Sequence, residues 1–247
     1  MDMWEIIDTG SASAARNMGI DAELLEKAES LSAPILHFYR WERPSVTYGY
    51  FIDPAEHLDL EVMALGGIDL ARRPTGGGIV FHLWDLAFSV IVPSSVPFFS
   101  ENTLANYSFI NRAVAQAVET YMGREKITLI PDDAPALDPT CSRFCMARPT
   151  KYDVVLHGRK IAGAAQRQKS QGFLHQGTIS LKGPSISQLA SLESWLLPGN
   201  RVLEAMQSYT FAFLPVDASA EILEEARRSI QELLYQSLVD QTQSYAT

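Results

Sequence analysis

The amino-acid sequence predicts an α/β (α+β) fold with a mixed central β-sheet flanked by helices. Short alternating or wholly apolar runs read as strands, and they are mixed with helical stripes rather than alternating strictly with them. A long amphipathic stretch closes the chain, with apolar residues at three- and four-residue steps. The 247 residues, 47% hydrophobic and 20% charged, are enough to bury a substantial core. No linker-like segment interrupts them, so residues 1–247 are expected to form one domain, without a separate C-terminal accessory domain.

Taken in order, residues 4–7 read as a strand. Ser11 or Ser13 then caps a helix reaching about Leu31, on which Ala14, Met18, Asp21, Leu25 and Ala28 share a stripe. An acid on such a stripe needs partners. The simplest role for Asp21 is to tie down the backbone of a neighbouring loop. Strands are expected over 35–41, 46–51 and 68–72, then over 79–82 and 86–92 after a glycine-rich turn. A helix over 101–122 has Ser100 as its cap and Gly123 as its stop. Its inward face is Leu104, Tyr107, Asn111, Val114, Val118 and Tyr121. A strand over 127–130 and a Pro/Asp-rich loop over 131–140 follow. Residues 152–156 and 160–166 form a hairpin about His157-Gly158, and 173–181 adds a strand. Two short helical pieces lie in 185–207. The closing helix, 221–239, turns Ile222, Leu223, Ala226, Ile230, Leu233, Leu234 and Leu238 inward.

A formal net charge of -9 removes the usual electrostatic driver for binding nucleic acid or an anionic membrane. Cations do gather in Arg143, Arg148, Lys151, Arg159, Lys160, Arg167 and Lys169, as a local anionic-group site or as a solvated loop and hairpin. The N-terminal residues lack the basic and apolar regions of a signal peptide, and no apolar run is long enough to span a bilayer. Cys141 and Cys145, with no histidine nearby, suit neither a disulfide framework nor a metal site. The expected location is cytoplasmic.

Three segments could carry chemistry. Arg72-Arg73-Pro74-Thr75-Gly76-Gly77-Gly78 lets backbone N–H groups approach an anion or carbonyl, or simply turns a hairpin. It has neither the Walker nor the GxGxxG spacing. Lys160 precedes the small residues Gly163 and Ala164 on a strand, past which a flat or long group could lie. As a solvated surface charge it would contribute little to stability. Cys145 is either inert or, with cationic neighbours lowering its pKa from ~8.5, a nucleophile for acyl transfer through a thioester. Spacing alone does not separate ligand contact from structural duty for His82 and His175.

Five ordered blocks, WEIIDTGSASAARNMGIDAELL, FYRWERPSVTYGYF, RRPTGGGIVFHLWDLAFSV, CMARPTKYDVVLHGRKIAGAAQRQ and FLHQGTISL, together resemble the lipoate–protein ligase and octanoyltransferase superfamily, whose fold biotin–protein ligases share. The resemblance implies the biotin/lipoate ligase catalytic-domain fold and attachment of an octanoyl or lipoyl group to a lysine of a lipoyl carrier domain. It implies an acyl tunnel floored by the glycine turn, with Lys160 at the acyl carbonyl. Cys145, Pro149, Tyr152 and Asp153 fit the C-x-x-x-P-x-x-Y-[DE] pattern of cysteine-dependent octanoyltransferases, making Cys145 and Lys160 the implied catalytic pair. Arg73, Thr75, Gly76, Gly77, Gly78, His82, Gly163, Ala164 and Gly177 are the implied substrate-binding residues. The implied donor is an octanoyl-acyl carrier protein. The implied acceptors are lipoyl proteins such as the glycine cleavage H protein or 2-oxoacid dehydrogenase E2 subunits. Transfer needs no cofactor; ATP-dependent lipoate ligation would need ATP and Mg²⁺ and leave Cys145 a bystander. A non-catalytic acyl-binding protein is the third reading. Three positions depart from the pattern: Gly78, where transferases often carry arginine; Leu83, where an acid commonly follows the histidine; and Gln176, where His-Gly is frequent.

Overall fold

The structure, a computed structural model, describes residues 4–123, 125–243 and 245. Strand β1 (Glu5–Ala12) leads into helix α1 (Ala14–Glu26), followed by β2 (Ile35–Trp41) and β3 (Ser45–Tyr48). Next come α2 (Leu60–Leu65), β4 (Asp69–Arg72), β5 (Val80–His82), β6 (Asp85–Pro93) and α3 (Thr103–Met122). Strands β7 (Thr128–Leu129), β8 (Val154–Leu156), β9 (Arg159–Lys169) and β10 (Gly172–Ser180) precede α4 (Ile186–Trp195), α5 (Val202–Tyr209) and α6 (Ala220–Gln243).

The strands form two sheets where one was expected. A seven-stranded mixed sheet runs β1-β2-β6-β10-β9-β8-β7, and a three-stranded sheet runs β4-β3-β5. Hydrophobic period identifies strands but not their partners, so the split was not readable from the chain. Strand β6 lies inside the large sheet and every one of its residues is buried. Its alternate residues Leu86, Phe88, Val90 and Val92 join Ile110, Val114 and Val118 of α3 and Ile230, Leu234 and Leu238 of α6 in one core. The residues between them face α1: Ala87 packs with Ala14 and Met18, and Ile91 with Leu25. Both faces of β6 are thus covered by helices, which is why it reads as a nearly continuous apolar run.

Several ends differ from expectation for local reasons. Strand β1 extends to Ala12 because it pairs in parallel with β2 through Trp41. Ser13, rather than Ser11, caps α1 by accepting from Arg16 N. The α-helix stops at Glu26, and Ala28–Ser30 continues as a 3₁₀ turn. Asn102 caps α3 through Leu104 N and Ala105 N, whereas Ser100 Oγ accepts from Asn102 N. Leu104 and Ile222 are 51% and 47% exposed, because both lie in the first turn of a helix where the stripe runs past the surface it covers. Asp59 caps the unforeseen α2. The β8–β9 hairpin turns at His157 (φ 51) and Gly158 (φ 76), two successive left-handed residues as a tight hairpin of this kind requires.

Leu234→Ala should lower stability by about 2–5 kcal/mol, since its fully buried site faces a packed layer. Leu65→Ala, at a position 84% exposed, should change it by less than about 0.5 kcal/mol. Urea unfolding followed by circular dichroism measures both.

Candidate active site

The glycine turn joins β4 to β5 and is packed backbone against backbone. A Cβ at Gly49 would meet the Gly77 carbonyl oxygen at 2.0 Å, and one at Gly78 would meet the Arg143 carbonyl oxygen at 2.4 Å. Ile79 N donates to Arg143 O (2.6 Å), and Cys145 N donates to Ile79 O (2.9 Å). The turn is therefore zipped to the segment that carries the cysteine. This explains the glycine at position 78: a side chain there would push residues 143–145 away. Arg73 is buried, and its guanidinium holds the turn from inside through Gly76 O (3.0 Å), Gly78 O (2.6 Å) and Thr47 Oγ1 (2.8 Å).

Cys145 and Lys160 meet. Lys160 Nζ lies 3.2 Å from Cys145 Sγ, 2.8 Å from Cys145 O and 2.8 Å from Asp153 Oδ2. These three acceptors match the three protons of an ammonium. Lys160 is only 1% exposed and Asp153 is 0% exposed, which corrects the expectation of a surface lysine. Burial pushes the Lys160 amine down, but Asp153 and Cys145 raise it further, and it ends above the ordinary lysine range, protonated. Asp153 Oδ2 also accepts from Thr150 N (2.6 Å) and Thr150 Oγ1 (2.9 Å). It follows Tyr152, held in the left-handed region (φ 68) with its carbonyl bonded by Asn111 Nδ2 at 2.8 Å. Gly163 makes room for the lysine: a Cβ there would fall 2.2 Å from Lys160 Cε.

The remaining cations of 143–169 do not converge. Arg148 pairs with Asp133 and Lys169 with Glu26, while Arg159 binds the Gln207 and Thr210 carbonyls. Cys145 has two buried cations near it, the Lys160 ammonium and, across the same cavity, the Arg73 guanidinium, not a basic surface patch.

Cys145 opens onto a cavity of about 30 Å³, lined also by Met18, Tyr39, Trp41, Ala165 and Thr178. Arg73, Gly77, His82, Gly163, Ala164 and Gly177 border it too. Thr75 bonds Gln176 instead (2.7 Å), and the absent side chain of Gly177 gives space to the Phe88 ring. The backbone of Ala164 is engaged by Tyr107 Oη. Sequence reasoning missed Met18, Tyr39 and Trp41 as cavity walls. Their signal was the apolar stripe of α1 and two aromatics on one face of β2.

Two buried networks brace the site. His82 Nδ1 meets Asp85 Oδ2 (2.6 Å), and His82 Nε2 meets Thr47 Oγ1 (2.8 Å), which receives the guanidinium of Arg73. Burial would raise the Asp85 carboxyl, but His82 and Thr178 bring it below the usual carboxylate range. Asp21 accepts from Ser89 Oγ (2.5 Å) and Gln176 Nε2 (2.6 Å) and pairs with His37 Nδ1 (2.8 Å). Asp21 therefore ties together side chains of three strands, not the backbone of a loop as expected. His175 does not border the cavity; burial pushes it down to about 3, so it stays neutral. Among the described residues, no cluster of three His, Cys, Asp or Glu side chains is placed to hold a metal ion, and no helix is long and apolar enough to cross a membrane.

The class is then defined: an α/β domain that brings a glycine turn, a buried ammonium and a thiol around one narrow cavity. The chain belongs to the family described as the lipoyl protein ligase A/B catalytic domain, which matches residues 13–196. It is 31% identical to the octanoyltransferase LipM of Geobacillus kaustophilus over 83% of this chain and 74% of that protein. Identity to the octanoyltransferase LipM of Bacillus subtilis is 29%, over 94% of this chain and 84% of that one. The fold is that of a lipoate protein ligase from T. acidophilum with bound lipoic acid, at a TM-score of 0.63 and 23% identity, covering 98% of this chain and 96% of that one. 

Removing one partner of a buried pair costs about 3–5 kcal/mol. Lys160→Ala should therefore unfold well below the wild-type temperature in calorimetry, and Lys160→Met with Asp153→Asn should recover most of the loss. His175 gives a pH dependence. Its folded pKa lies below the unfolded ~6.5, so its contribution is complete above that pH and is lost as pH falls towards about 3. Between pH 7 and 5, His175→Leu should lose about 2 kcal/mol less stability than the wild type, measured by urea unfolding at each pH.

Proposed function

We propose that the protein transfers an octanoyl group from octanoyl-acyl carrier protein to a lysine of a lipoyl domain, such as that of a glycine cleavage H protein or a 2-oxoacid dehydrogenase E2 subunit. The observation that carries this reading is the Lys160 ammonium 3.2 Å from Cys145 Sγ, anchored on a buried carboxylate. A lysine held protonated is no base; it places a fixed positive charge beside the attacking sulfur. Cys145 gives up its thiol proton to water, and its sulfur attacks the thioester carbonyl. Lys160, turning one N–H from the Cys145 carbonyl to the developing oxyanion, stabilises it. The carrier thiolate leaves and takes up a proton. The acceptor amine then attacks the octanoyl-cysteine and loses a proton, regenerating the thiol. The relatives named octanoyltransferase LipM support this chemistry. It uses neither ATP nor a metal ion. The free thiols of Cys141 and Cys145 suit a cytoplasmic protein, and residues 1–247 would act as one catalytic unit.

The triple glycine does not by itself favour ATP-dependent ligation, because packing against Arg143 already requires Gly78. Intact-mass analysis after exposure to octanoyl-acyl carrier protein without ATP should show one added octanoyl group, mapped to Cys145 and not to the buried Cys141. No adduct without ATP, together with lipoate attachment that requires ATP and Mg²⁺, would return the ligase reading. Lys160→Arg should lose about 10²–10³ in transfer rate, because a planar guanidinium cannot present the same three donors in that space. Loss no greater than in Arg159→Ala would withdraw Lys160 from the mechanism.

A further inference from the structure

Phe51 is 88% exposed, and Tyr50 beside it is 43% exposed. The two adjoin the site. Tyr50 N donates to Thr75 O (2.9 Å), and the preceding Gly49 rests on the Gly77 carbonyl. Gly77 is exposed on its outer side and borders the Cys145 cavity on its inner side. The aromatic pair therefore forms the outer rim of the turn whose inner edge faces the thiol.

The rim is cationic within an acidic protein. The Arg72 guanidinium lies 4.7 Å from the centre of the Tyr50 ring and that of Arg167 lies 5.5 Å from it. Tyr50 and Phe51 meet edge to face at 5.2 Å. Arg167 is also anchored on Pro74 O (3.1 Å). Neither guanidinium is in an ion pair among the described residues. The nearby Glu26 is neutralised by Lys169. Asp53 and Glu56 follow along the chain, and Asp53 caps the short turn Pro54–Glu56 through Ala55 N. Anions are thus favoured on the Arg72–Arg167 side of Phe51.

We infer that this rim, Phe51 flanked by Tyr50, Arg72 and Arg167, docks the donor acyl carrier protein. The inference rests on the transferase reading above. The charge of the two substrates selects between them. A donor carries its acyl group on an arm rooted in a phosphodiester, so it brings an anion to the rim. An acceptor brings a cationic lysine, which two unpaired arginines repel. Phe51 would supply the apolar anchor and the arginines the phosphate and carboxylate contacts.

The test separates docking from chemistry. Acylation rates of wild type, Phe51→Ser and Arg72→Glu are measured with octanoyl-acyl carrier protein and with octanoyl-N-acetylcysteamine, a thioester lacking both phosphate and carrier. Each variant should lose about tenfold or more in kcat/KM with the carrier, through KM, and keep its rate with the small thioester. Raising salt should weaken the wild type towards Arg72→Glu with the carrier alone. In parallel, binding of fluorescently labelled holo-acyl carrier protein is followed by anisotropy, which needs no reaction. Equal binding by wild type and both variants, or equal losses with both thioesters, overturns the docking site. Weaker binding of the lipoyl domain instead of the carrier also overturns it. A wild type that is acylated by neither thioester, yet binds holo-carrier better than the variants do, overturns the transferase reading and leaves the docking site standing.

Discussion

The ion pair of Lys160 with Asp153 is the contact on which the site depends. Two charges taken wholly out of water must satisfy each other almost completely, or the fold does not tolerate them. The chain meets that demand with several separate elements. The β8–β9 hairpin turns back so that Lys160 lies beside Asp153. The left-handed Tyr152 precedes the carboxylate, Thr150 donates twice to the same Oδ2 that meets Lys160, and Gly163 leaves the ammonium its space. Cys145 supplies the last two acceptors. Neither the thiol nor its carbonyl can move far without exposing an unpaired N–H in a dry interior. The position of the sulfur is thus a by-product of charge neutralisation.

Buried hydrogen bonds carry the same bracing outward. His82 has both ring nitrogens engaged, one by Asp85 and one by Thr47. It therefore braces Arg73 rather than offering a free nitrogen to Cys145. On the other side, Asp21 links α1 to β2, β6 and β10, and Gln176 passes that link on to Thr75 in the glycine turn. The turn is held from the small sheet by arginine and from the large sheet by glutamine. Gln176 stands where the family often places histidine, and its amide both donates to Asp21 and accepts from Thr75.

What was legible in the sequence follows from which forces are local. Strand β2, the β8–β9 hairpin, helix α6 and the Gly123 stop were readable because period and turn chemistry act over a few residues. Cys145 and Lys160 were legible as neighbours through the family resemblance, or if the hairpin folds back over the cysteine; the spacing of residues 145 and 160 alone does not say that their side chains meet. The second sheet, the burial of Lys160 and the partners of Asp21 depend on contacts between residues far apart in the chain. Asp153 was visible as part of a pattern, and its burial against Lys160 was not. Charge counting misled in one respect: the cations of 143–169 look like a patch along the chain, but folding sends most of them to separate partners.

The lining of the cavity is not uniformly stiff. On the glycine turn it is backbone packed on backbone, where Gly49 meets Gly77 and Gly78 meets Arg143. Elsewhere it is made by the side chains of Met18, Tyr39 and Trp41. Methionine is the adaptable member of that set, an unbranched thioether that refills gaps of irregular shape. Adjustment to the shape of a guest therefore falls to the α1–β2 side of the lining, while the turn, zipped to the cysteine segment, keeps a fixed distance from the sulfur.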